Sequence, residues 1–334
     1  MGDQRNGGIA WTDETWNPLR GCSRVSEGCR HCYAEQVAGR FSGPGQAFEG
    51  LATRVDGKGR WTSAVRLIED KLTDPLRWRR PRRVFVNSVS DLFHESVTDA
   101  LRDRIFAAMA LCPHHTFQVL TKRPERMREY LGRDFRDTEI ANAIRAMGRD
   151  VSNWTLPLPN VWLGTSIENQ AAADERIPHL LATPAAVRFV SAEPLLGAVD
   201  LTNIKPPGHH HGDAHGWSAI WRDNGLGREW LDWVIVGGES GPHARPMCPD
   251  WVRSLRDQCA AAEVPFLFKQ WGEWSPHVAA IEGPDGSIKT TPKGGLNWQR
   301  TDRDGISGMF RVGKRAAGRL LDGVEHNAFP QVRP

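Results

Sequence analysis

Long apolar runs are missing from this 334-residue chain, and no stretch is apolar for long enough to cross a bilayer as a helix. The opening Met1-Gly2-Asp3-Gln4-Arg5-Asn6 lacks the apolar core of a signal peptide. Asn6 stands where an acylation site needs Ser or Thr. Cysteine is scarce, six in all, which disfavours a disulfide framework and fits a reducing cytoplasm. A net charge of +3 is too small to imply a polyanionic partner. Tyrosine is nearly absent, two residues against fourteen tryptophans. Trp11, Trp16, Trp61, Trp78, Trp217, Trp221, Trp271 and Trp274 fall in expected loops. Anchoring those loops explains them better than stacking on bases. No internal repeat is visible.

What is present centres on Cys22-Ser-Arg-Val-Ser-Glu-Gly-Cys29-Arg-His-Cys32, spaced C-x6-C-x2-C. The C-x2-C half brings two sulfurs to one ion or cluster. Three thiolates without a nearby fourth suit a [4Fe–4S] cluster with one open iron. Such an iron is what S-adenosylmethionine (SAM) chelates. The alternatives are zinc held by the three cysteines with His31 or a distant histidine, a disulfide, and small buried cysteines in a tight loop. Gly21, Gly28, Arg24, Glu27 and Arg30 make the loop polar and argue against the last.

The length permits two domains or one α/β barrel. An extended stretch before Pro18 leads into the cysteine loop, and Cys32–Arg40 reads as a helix. Residues 41–63 read as irregular, and a short helix opens at Thr73-Asp74-Pro75-Leu76. Strands are expected at 83–88, 115–121, 160–166, 186–191, 233–237 and 266–270. Helices are expected at 99–112, 124–131, 171–181 and 249–262. This alternation predicts a parallel sheet with right-handed crossovers, closed fully or partly into a TIM-type (β/α) barrel. The barrel takes residues 1–275. Its His-rich insertion, 203–230, carries His209, His210, His211 and His215 and reads as a solvated loop rather than a metal site. Residues 276–334, with a basic helix at 314–321, read as a C-terminal extension packed on the barrel as a cap.

Each expected strand ends in polar residues: Asn87, Ser88 and Asp91; Thr121, Lys122 and Arg123; Thr165, Ser166, Glu168 and Asn169; Ser191 and Glu193; Gly237, Gly238, Glu239 and Ser240; Lys269 and Gln270. Barrels carry their sites at this end.

Thr15-Trp16-Asn17-Pro18, Gly21-Cys22 and Gly28-Cys29-Arg30-His31-Cys32-Tyr33-Ala34-Glu35 resemble a family common in phages and prophages, of uncharacterised function. That family carries a three-cysteine motif and is distantly similar to radical SAM enzymes, notably spore photoproduct lyase. The resemblance continues through 85–94, 120–126, 161–169, 189–195, 234–241, 268–272 and 313–319. Radical SAM enzymes usually space their cysteines C-x3-C-x2-C with an aromatic before the third; here the first gap is six and His31 holds that place.

The resemblance implies a radical SAM barrel, a [4Fe–4S] cluster on Cys22, Cys29 and Cys32, SAM as cofactor, an electron donor, and a 5′-deoxyadenosyl radical. Ser88 and Asp91 would then lie near the SAM amino group. Ser166, Glu168 and Asn169 would hold ribose hydroxyls, and Glu193 is a further candidate for SAM or substrate. Glu239 and Cys248 are the catalytic candidates, Cys248 as a hydrogen-atom donor. Lys122, Arg123 and Arg245 would face an anionic substrate. Arg79 and Arg80 belong to the basic run 77–83, whose aromatic Trp78 suits phosphate contacts with stacking. The function expected is modification or repair of nucleic acid or a nucleotide. The alternatives are a radical SAM enzyme acting on a peptide or small molecule, and a non-catalytic nucleic-acid-binding protein with structural zinc or cluster.

Overall fold

Seven short runs of β-branched and aromatic residues, separated mostly by helices, leave the chain one economical arrangement: parallel neighbours in sequence order. The structure, a computed structural model, describes residues 9–150, 154–205, 217–221, 230–276, 281–282, 288–289, 299–302 and 305–331. Its main sheet holds β1 (Glu14–Trp16), β2 (Arg83–Val86), β3 (Thr116–Thr121), β4 (Val161–Ser166), β5 (Val187–Ala192), β6 (Trp233–Gly237) and β7 (Phe266–Gln270), adjacent in that order. Every pairing is parallel. Crossovers of one hand in unbroken order place the helices on one face, so the sheet curls into a half-barrel. The principal helices are α1 (Tyr33–Arg40), α2 (Asp99–Ala110), α3 (Pro124–Leu131), α4 (Arg136–Ala146), α5 (Gln170–Leu181) and α6 (Pro249–Ala261).

Period-2 alternation sorts the strand residues into two cores. Val84, Val86, Phe117, Val119, Val161, Leu163, Val234, Val236, Phe266 and Phe268 join the helices in the larger one. Trp162, Val187, Phe189, Trp233, Ile235 and Leu267 face inward with Trp11. These rings fill the lower part of the inner face: Trp11 lies 4.6 Å from Phe85, and Trp162 lies 5.9 Å from Trp233. Gly164 makes room for this layer, since a Cβ there would sit 2.5 Å from the Phe189 ring.

The C-terminal segment covers the exposed edge of β7. Phe268 N donates to His326 O at 3.0 Å, and Ala328 N to Phe266 O at 3.2 Å. Phe329 then reaches under the sheet, 4.9 Å from the Trp233 ring and 4.4 Å from the Arg83 guanidinium. Of the tryptophans expected in loops, Trp16, Trp61 and Trp274 lie in short strands and Trp11 in the inner core, while Trp271 and Trp274 tie neighbouring segments together. Trp271 Nε1 donates to Leu320 O at 2.8 Å and Trp274 Nε1 to Ala244 O at 2.7 Å.

Three expectations need correction. Residues 41–63 are not wholly irregular: Ala52–Val55 and Lys58–Trp61 form an antiparallel hairpin against α1. Its turn is Asp56-Gly57, both at positive φ (49° and 73°), the dipeptide that a primed turn favours. Helix α4 was not foreseen, because Phe135 before it adopts a left-handed conformation (φ 60°) and supplies no side-chain cap. The basic helix α7 spans only Lys314–Ala317, since Gly318 takes φ 67° and ends it. The four histidines of the insertion lie outside the described residues. The base of that insertion is closed by the Ile204–Trp217 antiparallel bridge.

Candidate cysteine-loop site at the sheet rim

Gly21 introduces the cysteine loop in a conformation only glycine takes easily (φ 98°), bridged to Ser90 beyond β2. A Cβ on Gly21 would meet Ala64 O at 2.1 Å. Cys22, Cys29 and Cys32 are half-buried free thiols, Cys29 closing a 3-10 turn (Glu27–Cys29) and Cys32 standing at the start of α1.

The loop is fixed to the protein at four places. At the first, Arg123 donates to Ser23 Oγ at 2.7 Å, to Asp91 Oδ2 at 3.1 Å and to Glu95 Oε1 at 2.7 Å. Asp91 also accepts from Thr121 Oγ1 at 2.7 Å and from the amides of Phe93 (2.9 Å) and Lys122 (3.2 Å). Ser23 Oγ lies 2.9 Å from His94 Nε2. At the second, Arg24 forms a two-pronged pair with Glu35, which is buried on α1 and also accepts from Trp61 N at 3.1 Å. At the third, Gly28 packs on Glu168: a Cβ would lie 3.1 Å from its Oε2. Glu168 is held in turn by Arg176 at 3.0 Å. At the fourth, Arg245 donates to both Glu239 oxygens, at 2.6 and 2.9 Å, and to Glu27 O at 3.0 Å.

This arrangement reassigns several expected roles. Asp91 and Glu239 are buried and ion-paired, Asp91 with Arg123 and Glu239 with Arg245. Arg123 and Arg245 are locked in the same pairs. Asn169 caps α5, accepting from Ala172 N at 3.0 Å, and its side-chain oxygen is engaged there. Cys248 is buried at the start of α6. Arg79 and Arg80 are exposed but precede β2, at the opposite end of the strands from the cysteines. Ser88 stays at the rim, donating to Asn17 Oδ1 at 3.1 Å while its carbonyl accepts from Tyr33 Oη at 3.0 Å. The Ser166 carbonyl accepts from Arg176 at 2.9 Å. Glu193 reaches over Gly237 to Lys269, at 2.7 and 2.9 Å.

Electrostatics at the loop oppose burial. Burial pushes the Cys22 thiol up to about 12; the charge of Asp91 adds to this and Arg123 opposes it. Burial likewise raises Cys32, against the amides of Glu35 and Ala34 and the charge of Lys122. Burial lowers His31, whose ring lies 5.7 Å from that of His243. Among the described residues, no three His, Cys, Asp or Glu side chains converge as a single metal ion would require. Sequence reading missed Arg24, Glu35, Arg176 and Ser23. Glu35 carried a signal, a carboxylate on the same helical face as Ala34, Ala38 and Gly39, all buried.

Residues 6–330 match the family described as "Protein of unknown function (DUF5131)", and the chain belongs to that family. No curated protein and no solved structure matches it.

Proposed function

We propose that this protein is a radical-SAM-type iron–sulfur enzyme whose cluster is carried by Cys22, Cys29 and Cys32. One observation carries the reading. Three polar strand ends, together with Glu35 of α1, are used to hold one three-cysteine loop over the C-terminal rim of a parallel half-barrel, where such folds place their chemistry. The donor set suits the group. Three soft thiolates gather negative charge, and nearby positive charge offsets it: Arg123 acts on Cys22, Lys122 on Cys32, and Arg24 on Cys29 and Cys32. When bound, the cluster would supply an open iron for SAM and the electron that cleaves it.

The chain's own residues then have defined tasks. Arg123, Arg24 and Arg245 keep the loop in place and Gly28 allows its close approach to Glu168. Trp11, Trp162 and Trp233 keep water from the lower inner face. Lys122, Glu193 and Lys269 remain at the rim to meet ligands. The exposed basic run lies at the other end of the sheet, and the rim arginines are paired. The reading therefore favours a small molecule or single nucleotide over a polynucleotide. Anaerobic purification with iron, sulfide and zinc analysis, and spectra with and without SAM, tests it. Cys29→Ala should lose the cluster.

A further inference from the structure

The inner face divides sharply by height. Its lower part is a mesh of aromatic and aliphatic side chains, with the Arg83 guanidinium stacked on Phe329 at its base. Above it, alternation turns Lys269 inward, since Leu267 joins the inner core and Phe268 the outer one. Glu193 reaches Lys269 from β5, two strands away, across the intervening β6. It can do so because β6 offers Gly237 there: a Cβ would stand 3.2 Å from the Glu193 carboxyl carbon.

This pair differs from the other rim pairs. Asp91, Glu168 and Glu239 have side chains 8%, 3% and 5% exposed and are tied to the loop or its supports. Glu193 and Lys269 are 21% and 18% exposed and, among the described residues, hydrogen-bond no part of the cysteine loop. Among the described residues their side chains are paired with each other, and both remain partly exposed.

We infer that Glu193 and Lys269 form a receptor for the α-amino-carboxylate group of a zwitterionic substrate. This rests on the proposed function for its location beneath the cysteine loop. The chemistry follows from charge balance. An anionic group displacing Glu193 from Lys269 would leave a carboxylate unpaired and partly buried. A cationic group would strand the ammonium in the same way, and either orphan is costly. A zwitterion exchanges partners evenly: its ammonium takes the place of Lys269 at Glu193, and its carboxylate takes the place of Glu193 at Lys269. Both new contacts are charge-assisted and no net charge is buried. The methionyl end of SAM is itself such a zwitterion, but on the proposed reading it is bound at the open iron, which leaves this pair to the substrate.

The test is calorimetric titration of the full-length protein with each of the twenty free L-amino acids, with and without saturating SAM. Binding of at least one is expected, with loss on removing either charge, as the N-acetyl acid or the amide. Glu193→Gln and Lys269→Met should each weaken it by about tenfold to a hundredfold. The exchanged variant E193K/K269E keeps an ion pair and hence the fold, yet presents reversed polarity. It should melt with the wild type and still lose binding. No amino acid bound by the wild type, binding indifferent to both single variants, or displacement of the amino acid by SAM would each overturn the inference. A SAM-responsive cluster in any of those cases would leave the proposed function standing. Amino-acid binding without a cluster would do the reverse.

Discussion

Arg123 lies 3.1 Å from Asp91, and the same guanidinium reaches Ser23, the residue after the first cysteine, at 2.7 Å. One buried ion pair thus connects the ends of two adjacent strands to the cysteine loop. Both members are spent on that task, which makes them positioning residues.

Asp91→Asn should therefore damage the loop and the fold together. It leaves the buried Arg123 charge with only the half-exposed Glu95, at a cost of about 3 kcal/mol or more. Denaturant unfolding gives the stability loss, and iron content after reconstitution gives the loss of the site. Unchanged iron content in a destabilised variant would show that the loop does not depend on this pair.

Gly28 and Gly21 should separate site from fold. Gly28→Ala puts a methyl 3.1 Å from a carboxylate that Arg176 prevents from moving. We expect poorer cluster retention with a melting temperature close to wild type. Gly21→Ala meets backbone at 2.1 Å in a positive-φ conformation and should cost roughly 1–3 kcal/mol or more. Parallel melting curves and iron analyses distinguish the two.

The inner aromatic mesh should behave as a core. Trp233 is fully buried among Trp162, Phe189 and Phe329 and donates to Ala328 O at 2.9 Å. Trp233→Ala should destabilise by about 3–5 kcal/mol. Because Ala328 belongs to the segment covering β7, hydrogen exchange at Phe268 should accelerate in the same variant.

Asp322 ties the C-terminal segment to α6 through Arg253 at 2.8 Å and Arg256 at 2.6 Å. The hydrogen bond from Arg253, reinforced by Arg256, holds its carboxyl down to about 2 from an ordinary 3.8. A depressed carboxylate stabilises fully above its unfolded value, and that contribution fades as pH falls from about 4 toward 2. The side chain is 37% exposed, so screening limits the effect to under about 1 kcal/mol. Asp322→Asn should match the wild type at pH 2 and fall slightly below it at pH 6.

The parallel sheet was legible because strands alternate with helices along the chain. β6 and β7 fall at the expected residues, 233–237 and 266–270. The rim was legible as a place and not as a set of contacts. Polar strand ends mark where a barrel opens, but sequence does not say which acid meets which base. Sequence marks Asp91 and Glu239 as strand-end carboxylates, and the fold pairs them with Arg123 and Arg245. Glu35 has no role legible in sequence, because its partners Arg24 and Trp61 come from the cysteine loop and from the 52–61 hairpin. That hairpin did announce itself, in Asp56-Gly57. Helix α4 had no comparable signal at its start.

The most direct measurement is the iron, sulfide and zinc content of anaerobically purified protein, with the reduced-state spin-resonance spectrum recorded before and after SAM. The cluster reading predicts about four irons and four sulfides per chain and a spectrum that SAM alters. One zinc per chain, with no iron after reconstitution and no response to SAM, would contradict it.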